Sequence, residues 1–196
     1  MTDRPRVHLQ TLGCRLNEAE LETWSRDFRS HGFQLTPDAS NADLVVINTC
    51  AVTQESVRKS RNLIRRAQRT NPQAKLVVSG CYAELSPQQA AELGVDLVIG
   101  NQEKDRLVAI TRQALDFPVM PQGATEPGET ALFTRGRQRA FVKVQDGCRY
   151  RCTYCVVTLA RGAERSRTID EVMGLSSQLM SPRPEERKEV YSRMTM

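Results

Sequence analysis

The first 117 residues of this 196-residue sequence predict an α/β domain built on a mostly parallel sheet. Three observations predict it. Short runs of strand length alternate with stretches of helical spacing. One run, Asp43–Asn48, is almost continuously apolar, as in a strand covered on both faces. Three cysteines each stand at or just beyond the carboxyl end of a strand-like run, the edge of a parallel sheet where ligands usually bind.

The elements follow in order. Val7–Leu12 alternates apolar and polar residues up to Gly13 and reads as a strand. From Asn17 to His31 the spacing is helical, with Leu21, Trp24 and Phe28 on one stripe and Gly32 as the stop. Phe33–Leu35 is a short strand before Pro37, and Asp43–Asn48 is the buried strand. A helix is expected from Gln54 to Arg69, a strand over Lys75–Ser79, and a short helix over Pro87–Leu93 with Pro87 suited to its first turn. Leu97–Ile99 is a strand and Glu103–Leu115 a helix.

Beyond Phe117 the pattern breaks. Pro118, Pro121, Gly123, Pro127 and Gly128 indicate a linker over 118–138. Arg135, Arg137 and Arg139 then recur at period two, so in an extended segment they share one face, suited to phosphate or to a solvated edge. Phe141–Val144 reads as a strand. Thr168–Glu171 has the form of a capping box and opens a helix to about Met180. Residues 181–196 are polar and carry no further pattern.

Composition narrows the function classes. No run reaches the ~18 apolar residues of a membrane span, and the first residues lack the apolar core of a secretory leader. The expected setting is cytoplasmic, with no membrane partner. Six cysteines in that setting point to metal or redox work rather than disulfides. The net charge of +5 is compatible with a nucleic-acid partner. Arg58, Arg61, Arg65 and Arg69 share one face of the expected second helix, which reads either as an RNA-contacting surface or as a solvated face opposite Val57 and Ile64.

The cysteines fall into two triads. Cys14, Cys50 and Cys81 lie far apart in sequence at equivalent places in the strand pattern, so a parallel sheet brings them to one edge. The bland alternative is that some are small buried hydrophobes. Cys148, Cys152 and Cys155 form a C-x3-C-x2-C loop. Three thiolates can hold three irons of a [4Fe–4S] cube and leave the fourth open. A zinc loop and free core thiols are the alternatives.

The segments Thr11–Glu18, Asn48–Thr53, Ser79–Ala83, Asp146–Cys155 and Ala160–Arg167, in this order and spacing, resemble the methylthiotransferase family of radical S-adenosylmethionine enzymes. The form Thr11-Leu-Gly-Cys-Arg-Leu-Asn17 is most similar to the branch that modifies N6-threonylcarbamoyladenosine next to the tRNA anticodon. Other branches act on isopentenyladenosine in tRNA or on a ribosomal protein.

The resemblance implies two [4Fe–4S] clusters. Cys148, Cys152 and Cys155 would hold the one that cleaves S-adenosyl-L-methionine to a 5′-deoxyadenosyl radical. Cys14, Cys50 and Cys81 would hold an auxiliary cluster that supplies sulfur, with methyl from a second S-adenosylmethionine. Tyr154 stands where the family has an aromatic beside the cofactor, and a simple packing aromatic fits that place equally. The implied partners are the tRNA anticodon loop and an electron donor such as a flavodoxin or ferredoxin. The implied domains are an auxiliary-cluster α/β domain over 1–117, the linker, the first part of a truncated radical partial α/β barrel over 139–180, and a divergent tail over 181–196.

The family's later barrel strands and RNA-binding domain have no counterpart here, since fewer than 60 residues follow Val144. Residues 139–196 are therefore expected either to be loosely packed or to dock on the first domain. The competing functions are a non-catalytic iron–sulfur or RNA-binding module and a zinc-binding structural protein.

Overall fold

The computed structural model describes residues 4–117 and 141–180, with side chains through 176. The expected linker, the Arg135–Arg139 stretch and the polar tail lie outside the described residues.

A five-stranded, wholly parallel sheet runs in the order β2-β1-β3-β4-β5, from β1 (Arg6–Thr11), β2 (Gln34–Leu35), β3 (Leu44–Thr49), β4 (Lys75–Gly80) and β5 (Leu97–Ile99). Helices fill the connections: α1 (Arg15–Ser30), α2 (Gln54–Thr70), α3 (Cys81–Leu85), α4 (Pro87–Ala91) and α5 (Leu107–Ala114). A single 3-10 turn, Lys104–Arg106, leads into α5, so the helix expected from Glu103 begins four residues later. The α3 turn was not foreseen, because only Ser86 separates it from Pro87.

β3 explains the two-faced core. All six of its residues are buried. Leu44 and Val46 join Val7, Val77 and Ile99 against Leu21, Trp24 and Phe28 of α1 and Leu107 of α5. Val45 and Ile47 point the other way, with Leu76 and Val78, onto Ile64 and Ala67 of α2 and onto Tyr82. The period-two alternation of a strand assigns each neighbour to an opposite face. Each fully buried large side chain contributes roughly 1.5–3 kcal/mol relative to exposure. The sheet domain therefore carries a core on both sides.

The strand order reverses between β1 and β3. In open parallel sheets, ligands bind outside the carboxyl ends of the strands at such a switch point. β1, β3 and β4 end there side by side, leading into Cys14, Cys50 and Cys81.

Residues 141–180 are laid on this domain. They form β6 (Gln145–Asp146), α6 (Val157–Arg161), β7 (Arg165–Ser166) and α7 (Ile169–Met180). The strand expected over Phe141–Val144 does not form there. Pairing begins at Gln145, antiparallel to Arg165–Ser166, because that short segment is the backbone that comes alongside. Phe141 instead lies under Arg15, whose guanidinium is 5.2 Å from the ring centroid. The capping box at α7 is formed as read. Thr168 Oγ1 accepts from the Glu171 amide at 3.3 Å, and the Glu171 carboxylate accepts from the Thr168 amide at 2.8 Å. Of the two arrangements expected for this region, the structure shows the docked one for the described residues.

Gly80 closes β4 at φ +102, ψ −174, a conformation open essentially to glycine alone. A Cβ there would sit 2.3 Å from the Thr49 carbonyl oxygen of the neighbouring strand. Gly80→Ala is expected to lower unfolding free energy by about 3 kcal/mol, read as a reduced urea midpoint at unchanged m-value. A midpoint equal to that of the parent would contradict this reading of the β3–β4 edge.

Candidate functional site

The sheet edge is assembled from turns that immediately follow three strands. Cys14 is the N-cap of α1, a position usually held by an oxygen side chain. It caps only through its backbone carbonyl, which accepts from the Asn17 amide at 3.0 Å. Its thiol, with Asn17 Oδ1 3.8 Å away, is exposed. Cys50 is buried, and its amide and carbonyl are both held by the Ser60 hydroxyl of α2, at 3.1 and 2.9 Å. Cys81 is buried as the first residue of α3. The edge is tight. A Cβ on Gly13 would fall 2.8 Å from both Cβ and Sγ of Cys50.

All six cysteines are free. Cys148 and Cys155 are half-buried and Cys152 is exposed on the loop between β6 and α6. Tyr154 is 91% exposed at the same loop. The loop is tied to α6. The Cys148 amide donates to Gly162 O at 3.1 Å, and the Thr158 hydroxyl donates to Tyr150 O at 2.6 Å. Among the described residues, no three His, Cys, Asp or Glu side chains stand grouped as a ready metal site.

What the sequence reading missed lies between the two triads. Glu20 of α1 is buried, with its side chain 3% exposed. Its Oε2 accepts from Lys104 Nζ at 2.6 Å and from Asn48 Nδ2 at 2.9 Å. Its Oε1 accepts from Arg161 Nη1 at 2.9 Å. The same Nη1 donates to Asp146 Oδ1 at 2.9 Å, and Nη2 donates to Asn17 Oδ1 at 2.5 Å. Lys143 Nζ completes the group, 3.2 Å from Asp146 and 3.5 Å from Glu20. Asn17 Nδ2 donates to Leu12 O and Thr49 O, the carbonyls just before the Cys14 and Cys50 turns. The missed signal was available in principle. Asn17, Glu20 and Trp24 fall at i, i+3 and i+7, on the buried stripe of α1.

Electrostatics follow from that packing. Burial alone would raise the Glu20 carboxyl, yet Lys104 and Arg161 outweigh it and hold the group down at about 2. Asp146 is likewise lowered against its burial, by Arg161 and Lys143. The Cys81 thiol is pushed up by burial, with Arg161 and Lys104 opposing the rise. Two buried carboxylates thus face three largely buried cations beside the Cys14–Cys50–Cys81 edge. Ser79 Oγ, two residues before Cys81, is buried without a hydrogen-bond partner in the structure. Soft thiol donors, a cation surplus and an unused hydroxyl fit an anionic, thiolate-bound group at this edge.

Residues 6–100 match the model of the Uncharacterized protein family UPF0004.

Over a longer stretch the chain is similar to two proteins named threonylcarbamoyladenosine tRNA methylthiotransferase MtaB. The Aquifex aeolicus protein is 37% identical over 177 residues, covering 86% of this chain and 43% of the relative. The Bacillus subtilis protein is 37% identical over 183 residues, covering 89% and 40%. A tRNA-2-methylthio-N(6)-dimethylallyladenosine synthase of Methylacidiphilum infernorum is 31% identical over 182 residues, covering 86% and 39%. The chain thus spans about two fifths of the length of these curated relatives, to which it is related over their N-terminal part. A response regulator from Thermotoga maritima aligns over 59% of this chain and all of its own at 18% identity, with a TM-score of 0.40.

The matched stretch, residues 6–100, supplies Cys14, Asn17, Glu20, Asn48, Cys50 and Cys81. Lys104, Asp146 and Arg161, which answer Glu20 and Asn17, lie beyond it. No helix among the described residues is long and apolar enough to cross a membrane.

Glu20→Gln leaves the surrounding cations short of a buried anion, at an expected cost of about 3–5 kcal/mol near neutral pH. The pH dependence has a definite sign. The folded value, about 2, lies below the ordinary 4.5, so the carboxylate's contribution is complete above pH 4.5 and disappears as pH falls toward 2. Urea unfolding of the parent and of Glu20→Gln across that range should show the difference shrinking with acid. A difference that stays constant would remove Glu20 from this role.

Proposed function

We propose that this chain serves in the methylthiolation of tRNA adenosine, with Cys14, Cys50 and Cys81 holding one [4Fe–4S] cluster and Cys148, Cys152 and Cys155 a second. One observation carries the reading. Three cysteines reach one sheet edge from neighbouring parallel strands, and a three-cysteine loop is fastened to that same domain. When bound, the groups would supply one-electron cleavage of S-adenosyl-L-methionine at the loop and sulfur at the sheet edge.

The chain's own residues prepare both places. Ser60 fixes the Cys50 backbone, Asn17 fixes the turns before Cys14 and Cys50, and Thr158 fixes the loop backbone at Cys148 and Tyr150. Tyr154 offers an aromatic face beside the loop for the adenosyl cofactor. The identities above support N6-threonylcarbamoyladenosine, next to the anticodon, as the substrate ahead of the dimethylallyl branch. An electron donor of the flavodoxin or ferredoxin kind would reduce the clusters, and the setting would be cytoplasmic.

A second reading, a non-catalytic iron–sulfur or RNA-binding module, draws on the uncovered surface around the loop. Besides Tyr154, the side chains of Leu159 and Ile169 are 75% and 81% exposed. The exposed arginines of α2 give it a basic face, of which Arg58 is paired with Glu55.

Anaerobic reconstitution is expected to give about eight irons per chain. Replacing Cys14, Cys50 and Cys81 together by Ala should leave about four. Zinc, or iron only in traces, would sink the two-cluster reading. With a reductant and S-adenosylmethionine, release of 5′-deoxyadenosine supports the enzyme, and loaded clusters without release support the binding module.

A further inference from the structure

The Arg161 side chain is 3% exposed and bonds residues that neighbour both triads. One nitrogen is shared by Glu20 of the sheet domain and Asp146, two residues before Cys148. The other bonds Asn17, which anchors the Cys14 and Cys50 turns.

Its helix is not free to move alone. α6 packs against α3, which begins at Cys81. Asn101 Nδ2 donates to Ala160 O, fixing the end of α6 to the segment after β5. Gly162 O and the Thr158 hydroxyl hold the backbone of the Cys148 loop.

We propose that Arg161 is a positioning residue that sets the separation of the two cysteine triads, bridging α1 of the sheet domain to the start of the three-cysteine loop. A planar guanidinium with fixed forked donors, always charged, suits three acceptors from two parts of the chain. A lysine supplies the charge from one point and leaves at least one of those directions empty. The role in cluster spacing rests on the two-cluster reading above, whereas the role in docking stands without it.

The test uses the full chain, apo and anaerobically reconstituted, as parent, Arg161→Gln and Arg161→Lys. In hydrogen–deuterium exchange, Arg161→Gln should speed exchange across 145–166 by about tenfold in the apo chain, with β3 and β4 unchanged. Arg161→Lys should fall between it and the parent.

In the dithionite-reduced, loaded chain, electron paramagnetic resonance should show spin–spin broadening between the two clusters of the parent. In Arg161→Gln that broadening should be lost at equal iron content, a change that general destabilisation would not produce. Parent-like exchange over 145–166 in Arg161→Gln, or broadening that persists, overturns the proposal. If Arg161→Gln also exposes β3 and β4, Arg161→Lys decides, and parent-like behaviour of that variant in both readouts overturns it. A parent that takes up no iron overturns the cluster reading and the spacing role, while the exchange arm still decides docking.

Discussion

A carboxylate inside a protein has to be answered, and Glu20 imposes that condition on the whole molecule. Desolvating such a charge costs several kcal/mol unless its partners are well placed. Here the partners come from everywhere. Lys104 arrives from the turn before α5, Asn48 from the end of the central strand, and Arg161 and Lys143 from the segment laid over the sheet edge. Trp24 contributes as well. Its indole donates to Lys104 O at 3.0 Å, and its ring lies 5.9 Å from the Lys104 ammonium. The path of residues 141–161 over the domain is therefore a requirement of the core and not a decoration of it.

The same condition explains the location of the cysteines. An open parallel sheet collects the residues after its strands along one edge, where side chains from distant parts of the sequence meet. The buried polar group sits directly beneath that edge and supplies positive charge to it. A set of thiolates holding a metal cluster is negative, so the cations complement the chemistry proposed there. Neither half explains the other's residues, yet they converge on Asn17, whose Oδ1 faces the Cys14 thiol and accepts from Arg161.

The fold was legible because its signals are local. Strand alternation, the largely apolar run of β3 and the capping box at Thr168 are read from a few consecutive residues, and each is formed. The placement of Cys14, Cys50 and Cys81 after adjacent parallel strands was legible from the repetition of strand followed by cysteine. Glu20, Lys104 and Arg161 were not, since a charged residue in a helix or turn usually faces water. Their burial is decided by partners up to 144 residues away in sequence. Phe141–Val144 misled for a related reason. An apolar run becomes a strand only where another backbone runs alongside, and here that begins at Gln145.

The long sequence separation of the Arg161 contacts also orders events on the ribosome. The sheet elements and Lys104 emerge well before Arg161, so Glu20 can be enclosed with Lys104 and Asn48 while its third partner is unmade. At typical elongation rates, the stretch from Lys104 to Arg161 takes roughly 3–11 s to synthesise. During that interval the nascent domain carries Asn17 and one side of Glu20 open to water at the edge that bears the first three thiols. The contact made by Arg161 is thus the one that closes this edge.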